Sequence, residues 1–147
     1  MEIRELKDNK RDYMWLLLLA DEQEDMVEKY LDKGTMFLLE DGAPKAECIV
    51  TDEGGILEVK NIAVRPEAQG KGYGRALLQF VEDHYRGRFH TLQAGTGDSP
   101  FTIPFYQKCG FSESHRVKNF FLDHYDHPII EDGVLLTDMV YLRKAIG

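Results

Sequence analysis

Apolar positions along this chain recur with two periods, and each change of period marks a change of element. Met1–Leu6 reads as a strand, and helical spacing over Tyr13–Leu19 and Asp25–Leu31 predicts two helices, the second stopped by Gly34. Thr35–Leu39 and Ala46–Val50 read as strands joined at Asp41-Gly42-Ala43-Pro44, a turn by composition, so a hairpin is expected. Ile56–Val64 reads as a strand, Arg75–Val81 as part of a helix, Phe89–Gln93 as a strand, Pro100–Cys109 as a helix and Val134–Leu142 as a final strand. Tyr73, Ala76, Leu77, Phe80 and Val81 share one helix face, which predicts core packing. No repeat, low-complexity stretch or linker interrupts the order, and the expectation is a mixed α/β protein built around a sheet.

Within Ile56–Val64 the alternation changes phase. Leu57 and Val59 are apolar at odd positions, Ile62 and Val64 at even ones, with the change near Lys60-Asn61. One inserted residue does this, and that is a β-bulge, which bends a strand away from its neighbour and leaves backbone groups unpaired. The alternative is a regular strand with Asn61 over the edge of the core.

Between this strand and the following helix lies Gln69-Gly70-Lys71-Gly72-Tyr73-Gly74. Glycines at alternate positions let the backbone turn with no Cβ in the way, so that loop amides and a helix N-terminus can converge on one anion. The expected ligand is a phosphate or pyrophosphate; the competing account is a tight turn that uses glycine for steric reasons alone. The P-loop pattern fails because Lys71 is followed by Gly72 rather than Ser or Thr, and the dinucleotide fingerprint fails on the spacing of its third glycine.

The loop resembles the Gln/Arg-x-x-Gly-x-Gly/Ala signature of the GNAT superfamily of N-acetyltransferases, met here by Gln69, Gly72 and Gly74. Val64-Arg65-Pro66 resembles the end of that family's fourth strand, and Phe105–Phe111, with Tyr-x-x-x-Gly-Phe, resembles its second CoA-side motif. The resemblance is close from Leu57 to Phe111 and covers only general layout elsewhere. It implies a mostly antiparallel central sheet of about six to seven strands with splayed central strands, flanked by about four helices. It also implies acetyl-CoA as cosubstrate. By resemblance, Ile62, Ala63 and Val64 bond the pantetheine arm. The stretch Gln69, Gly70, Lys71, Gly72, Tyr73, Gly74 and Arg75 holds the pyrophosphate, with Lys108 on the same CoA side. Tyr106 occupies the position that protonates the departing thiolate; its other account is packing beside Phe101 and Phe105. The family's usual Asn ahead of that helix is replaced by Thr96-Gly97-Asp98-Ser99, so Asp98 or Ser99 is expected to take its CoA contact.

An amine acceptor sets a proton problem. A primary amine with a pKa near that of Lys costs roughly 4.6 kcal/mol to deprotonate at pH 7. Glu58, eleven positions before Gln69, falls where several members of the family carry a general base. With Leu57 and Val59 toward the core it projects the other way, either into the cleft, where it takes the proton directly or through water, or onto a solvated strand face. The stretch before the last strand is expected on the acceptor side, which makes Phe120, Phe121, Tyr125, Glu131 and Asp132 candidates for recognising the amine. His124 and His127 among Asp123 and Asp126 are read as lining or loop rather than metal ligands, since Pro128 breaks the helix that would align them; no metal is expected. Cys109 as an acylated nucleophile has no histidine partner in the sequence.

Composition sets the outer limits. A chain of 147 residues with 43% hydrophobic content fits one domain, here residues 1–147. Eighteen basic against 26 acidic residues, net −8, with no basic cluster longer than Arg86-Gly87-Arg88, argue against nucleic acid and suit a cationic substrate. Leu16–Ala20 is too short to span a bilayer, the N-terminus lacks a leader pattern, and Cys48 and Cys109 make no disulfide framework, so a cytoplasmic setting is the default. The expected activity is direct transfer of an acetyl group to a small-molecule or peptide amine, the alternative being an acyl-CoA binding module without turnover. Dimerisation stays open.

Overall fold

The computed structural model describes all of residues 1–147. Seven strands form one sheet in the order β1 (Glu2–Leu6), β2 (Thr35–Glu40), β3 (Pro44–Glu53), β4 (Ile56–Val64), β5 (Thr91–Gly97), β9 (Met139–Ala145) and β6 (Ser112–Val117). Every neighbouring pair is antiparallel except β4 and β5. That parallel pair needs a crossover, supplied by α3 (Tyr73–Tyr85).

The period-two pattern of the central strands separates two cores. Phe37, Leu39, Cys48, Val50, Leu57 and Val59 face α3, whose Leu77, Leu78 and Val81 complete that layer. Met36 and Ile49 turn to the other face beneath α1 (Met14–Leu17) and α2 (Glu24–Leu31), where they meet Leu17, Val27 and Leu31. Strands covered on both faces read as near-continuous apolar runs, as Thr35–Leu39 and Ala46–Val50 do. One buried position breaks the rule: Glu47 has no exposed surface, and neither carboxylate oxygen has a hydrogen-bond partner. Burial pushes its carboxyl well above the ordinary range.

Three parts depart from the expected order. The strand β6 has no apolar alternation because all six of its residues are exposed at a sheet edge. The expected single strand Val134–Leu142 is divided. Val134–Leu135 (β8) pairs with Ile130–Glu131 (β7) around Asp132 and Gly133, both at positive φ, and only Met139–Ala145 joins the main sheet. Between β6 and β7 lies a short helix, α5 (Phe120–His124), with Phe121 N–H donating to Thr137 O at 3.0 Å. No helix is long and apolar enough to cross a membrane.

Candidate active site

The parallel ladder of β4 and β5 holds for three residue pairs, Leu57 with Leu92, Glu58 with Gln93 and Val59 with Ala94, and then ends. The cause lies on the far edge of β4. There Asn61 faces Ile49 and Val59 faces Val50, so Lys60 is the extra residue of a bulge, where the change of phase predicts it. Past it, β4 stays with β3 through Val64 while β5 stays with β9 through Gly97. The strands diverge around a cleft of about 670 Å³, with Ile62, Ala63 and Val64 on one wall and Gly95, Thr96 and Gly97 on the other. The edge of β4 that faces this gap has lost its strand partner, and Gln69 reaches back to it, its Nε2 donating to Val64 O at 3.2 Å.

At one end the glycine loop turns into α3. Gly70 and Gly72 have φ of 79° and 84°, left-handed backbone that glycine adopts without penalty. Gly72 is the N-cap of the 13-residue helix and offers no capping side chain, so the first amides are free for an anion, with the positive end of the helix dipole behind them. Arg75 and Lys108 also line this end. Gly74 has a different reason: a Cβ there would meet the Phe105 ring at 3.2 Å, so it lets α3 pack against α4 (Thr102–Lys108). The residues present thus fit a pyrophosphate through backbone amides and two cations. Lys71 does not line the cleft, and Tyr73 both lines it and donates its hydroxyl to Asp41 at 2.6 Å.

Helix α4 sets Tyr106. Pro104 is tolerated because it lies in the first turn, whose N–H groups have no helical acceptor in any case. The helix ends in a Schellman turn: Gly110, at φ 96°, donates to Gln107 O and Phe111 to Tyr106 O, each at 3.0 Å. The Tyr-x-x-x-Gly-Phe spacing is therefore a helix stop that fixes Tyr106. Its ring is 5% exposed, edge-on to Phe105 and Phe111, and it lines the cleft. Burial raises the phenol above its ordinary range, so it stays protonated. Cys109 lines the cleft too, but burial pushes its thiol up, against a nucleophilic thiolate.

The other end of the cleft is closed by the α1–α2 connection and the chain after α5. Asp21 accepts hydrogen bonds from Tyr125 Oη at 2.8 Å and Tyr30 Oη at 3.3 Å, and Asp126 N–H donates to Gln23 Oε1 at 3.2 Å. Burial raises the Asp21 carboxyl above its usual value, partly offset by the two phenols. Glu131 is raised by burial and then by Asp132. Asn61 is 3% exposed, and its Nδ2 donates to Leu17 O and Tyr30 Oη, both at 3.0 Å. Its Oδ1 has no partner, an omission that costs about 1–3 kcal/mol in a buried amide.

Glu58 is not brought to the cleft wall. Its side chain does project opposite Leu57 and Val59, but the carboxylate is held by Lys60 Nζ at 2.6 Å and Gln93 Nε2 at 2.5 Å, with Arg143 donating to Gln93 at 2.8 Å. Lys60, which also pairs with Glu53 at 2.8 Å, lines the cleft in its place. Asp98 and Ser99 likewise lie off the wall. Asp98 pairs with Arg116 at 2.9 Å, and Ser99 is buried with its Oγ accepting from Phe101 N–H at 3.3 Å. Thr96 and Thr102, joined through their hydroxyls at 2.7 Å, line the cleft there. Of the aromatic and acidic candidates, Phe121, Tyr125 and Glu131 line the cleft, whereas Phe120 and Asp132 do not. His127 is engaged by Asp126 and Glu22, which raise its pKa, and no group of three or more His, Cys, Asp or Glu side chains is arranged to hold a metal ion. The sequence reading missed Asp21, Glu22 and Lys60, whose only signal is their place in a helix connection and at the bulge.

This arrangement has counterparts. The acetyltransferase (GNAT) domain family matches residues 32–113. The uncharacterized N-acetyltransferase YvbK of Bacillus subtilis (strain 168) is 37% identical over 143 residues, covering 94% of this chain and 92% of its own. A Bacillus subtilis acetyltransferase in complex with CoA superposes with a TM-score of 0.89 at 33% identity, over 99% of both chains. A GNAT family acetyltransferase from Elizabethkingia anophelis with acetyl-CoA bound gives 0.91 at 32%, over 98% of this chain and 97% of its own. Strand divergence, glycine loop, tyrosine helix and sequence kinship agree, and the chain belongs to the GNAT family of acetyltransferases.

Proposed function

We propose that this protein transfers the acetyl group of acetyl-CoA directly to an amine within a ternary complex. The observation that carries the reading is the meeting, in one cleft, of an unpaired strand edge at Ile62–Val64, an uncapped helix N-terminus behind Gly72, and Tyr106. The two relatives above that hold CoA or acetyl-CoA support the choice of cosubstrate.

On this reading the amides from Gly70 to Gly74, with Arg75 and Lys108, hold the pyrophosphate. The backbone of Ile62, Ala63 and Val64 takes the pantetheine amides as a missing strand would. The amine enters from the Asp21 and Tyr125 side. Its ammonium first gives up one proton to water in the open cleft; the freed nitrogen attacks the thioester carbonyl, the carbon–sulfur bond breaks, and the Tyr106 hydroxyl gives its proton to the sulfur and is restored by the second proton leaving that nitrogen. Glu58, behind the wall, acts through Lys60 and water, setting the position of that cation. Residues 1–147 form one catalytic domain, and its two free thiols fit a reducing, cytoplasmic setting.

Calorimetric titration with acetyl-CoA, with NAD and ATP as controls, tests the reading. Saturable binding of acetyl-CoA alone is expected, followed by amine-dependent thiol release. A folded protein that binds none of the three overturns it.

A further inference from the structure

Resting on the acetyltransferase reading, the acceptor half of the cleft narrows the class of amine. We propose that the acceptor is a small primary amine that carries its positive charge on an apolar or aromatic body and bears no acid group, with its ammonium held by Asp21 and Asn61.

The charges lining the cleft are segregated. Arg75 and Lys108 stand at the loop end, while Asp21, Glu22 and Glu131 stand at the other. The remaining cation of the lining, Lys60, is already matched by Glu58 at 2.6 Å and Glu53 at 2.8 Å. An acceptor that brought its own carboxylate would meet three acids and no free cation, and a cationic one is drawn in. Between the acids the surface is apolar: the Phe121 and Tyr125 rings stack at 5.4 Å, and Ile129 and Ile130 continue the wall. Such a wall takes the body of an amine and lends a ring face to its cation.

An independent observation points to a donor at the same place. Asn61 is buried and lines the cleft directly after the bulge, where the strands part. Its amide cannot be reversed, because Leu17 O only accepts and already takes a hydrogen from Nδ2. Oδ1 is left enclosed and without a partner, an acceptor that a ligand N–H would satisfy once the adjoining wall yields to admit it. Tyr30 Oη joins this amide to Asp21, receiving from Asn61 at 3.0 Å and donating to Asp21 at 3.3 Å. The carboxylate also accepts from Tyr125, and both residues line the cleft. One ammonium has hydrogens enough for both acceptors.

The test compares phenethylamine with phenylalanine, which differ by a single carboxylate, as acceptors for the full chain with acetyl-CoA, read by thiol release. Phenethylamine is expected to be the better acceptor by at least ~100-fold in kcat/KM, the size of one misplaced charge in a partly buried site. Asp21→Asn should raise KM for phenethylamine roughly 10- to 100-fold with kcat nearly kept, and should shrink the preference over phenylalanine. Glu131→Gln, on a separate hairpin, should shrink the preference without disturbing the Tyr30 and Tyr125 hydrogen bonds. Equal use of the two acceptors, or a preference unmoved by both substitutions, overturns the proposal, as does acetyl-CoA binding with neither amine acetylated. Failure to bind acetyl-CoA at all overturns the acetyltransferase reading instead.

Discussion

Val59 and Ala94 are the last facing residues of β4 and β5, and the residue that follows Val59 is the unpaired Lys60 of the bulge. The two facts are one device. An extra residue on the β3 side turns β4 away from β5, and the cleft opens at the first position the parallel ladder no longer holds. Because the insertion is a single residue, Ile62 and Val64 return to the α3 side, where they pack on the core, while Asn61 and Ala63 stay under α1.

Deleting Lys60 tests that coupling. Without it, Asn61 follows Val59 on the opposite face and regular alternation is restored, so no later side chain changes face. The shortened chain should fold, though less stable than the parent by about 3–5 kcal/mol, because the buried Glu58 loses the cation that faces it. Its straightened β4 should pair further along β5 and close the gap, lowering acetyl-CoA affinity at least ~10-fold. Calorimetry beside urea unfolding separates the two effects, and unchanged affinity in a folded variant would disconnect the bulge from the site.

Gly72 combines a conformational and an electrostatic demand. Nothing lies within 4 Å of the position a Cβ would take, so its φ of 84° alone disfavours a side chain. Gly72→Ala should cost about 1 kcal/mol of stability. Gly72→Asp adds a negative charge where an anion is to bind and should weaken acetyl-CoA by ~100-fold or more. If the two variants bind acetyl-CoA alike, the loop is a turn and nothing further.

Tyr106→Phe keeps the edge-on packing against Phe105 and Phe111 and removes only the hydroxyl. A general acid accounts for about 10²- to 10⁴-fold in rate, so kcat should fall within that range while KM for acetyl-CoA stays within about threefold. A kcat near the parent's would return Tyr106 to the core.

Glu58→Gln distinguishes action through a neighbour from contact with the substrate. The amide can still accept from Gln93, and Lys60 keeps Glu53 at 2.8 Å. The expected loss in kcat is under ~10-fold, against the 10²- to 10⁴-fold that follows removal of a base in contact with the amine. A loss in the larger range would put Glu58 back in the reaction.

The sequence reveals some of these features and hides others for physical reasons. A bulge is legible because it breaks a period of two, and the loop because the positive φ of Gly70 and Gly72 nearly requires glycine. The edge strand β6 has no buried face to impose alternation, so nothing in Ser112–Val117 distinguishes it from a loop. The surroundings of Glu58 are hidden for a related reason. Alternation gives the face of a sheet on which a side chain emerges, but not the neighbours from β5 and β9 that engage it there, here Gln93 and, behind it, Arg143. Asp21 is tied to Tyr125 across 104 residues, a relation that no local pattern carries.

Glu47 offers a prediction about stability that is independent of the chemistry. It stands on β3 between Leu38 of β2 and Ala63 of β4, with no surface exposed and no partner for either oxygen. Its carboxyl is raised well above the ordinary value by burial, whereas in the unfolded chain it titrates near 4.3. Between those two values the native state binds the extra proton, so this residue makes stability fall as pH rises through the window. Glu47→Met has about the same volume, needs no partner and removes the titration. The variant should be more stable than the parent by about 1–3 kcal/mol at pH 8, and by less at pH 5, where the parent pays little to stay protonated. Urea unfolding at the two pH values measures both differences. A gain that is equal at both would mean that relief of the unpaired oxygens, and not the proton, sets the cost. A loss at pH 8 would mean that the carboxyl is partnered inside the protein after all.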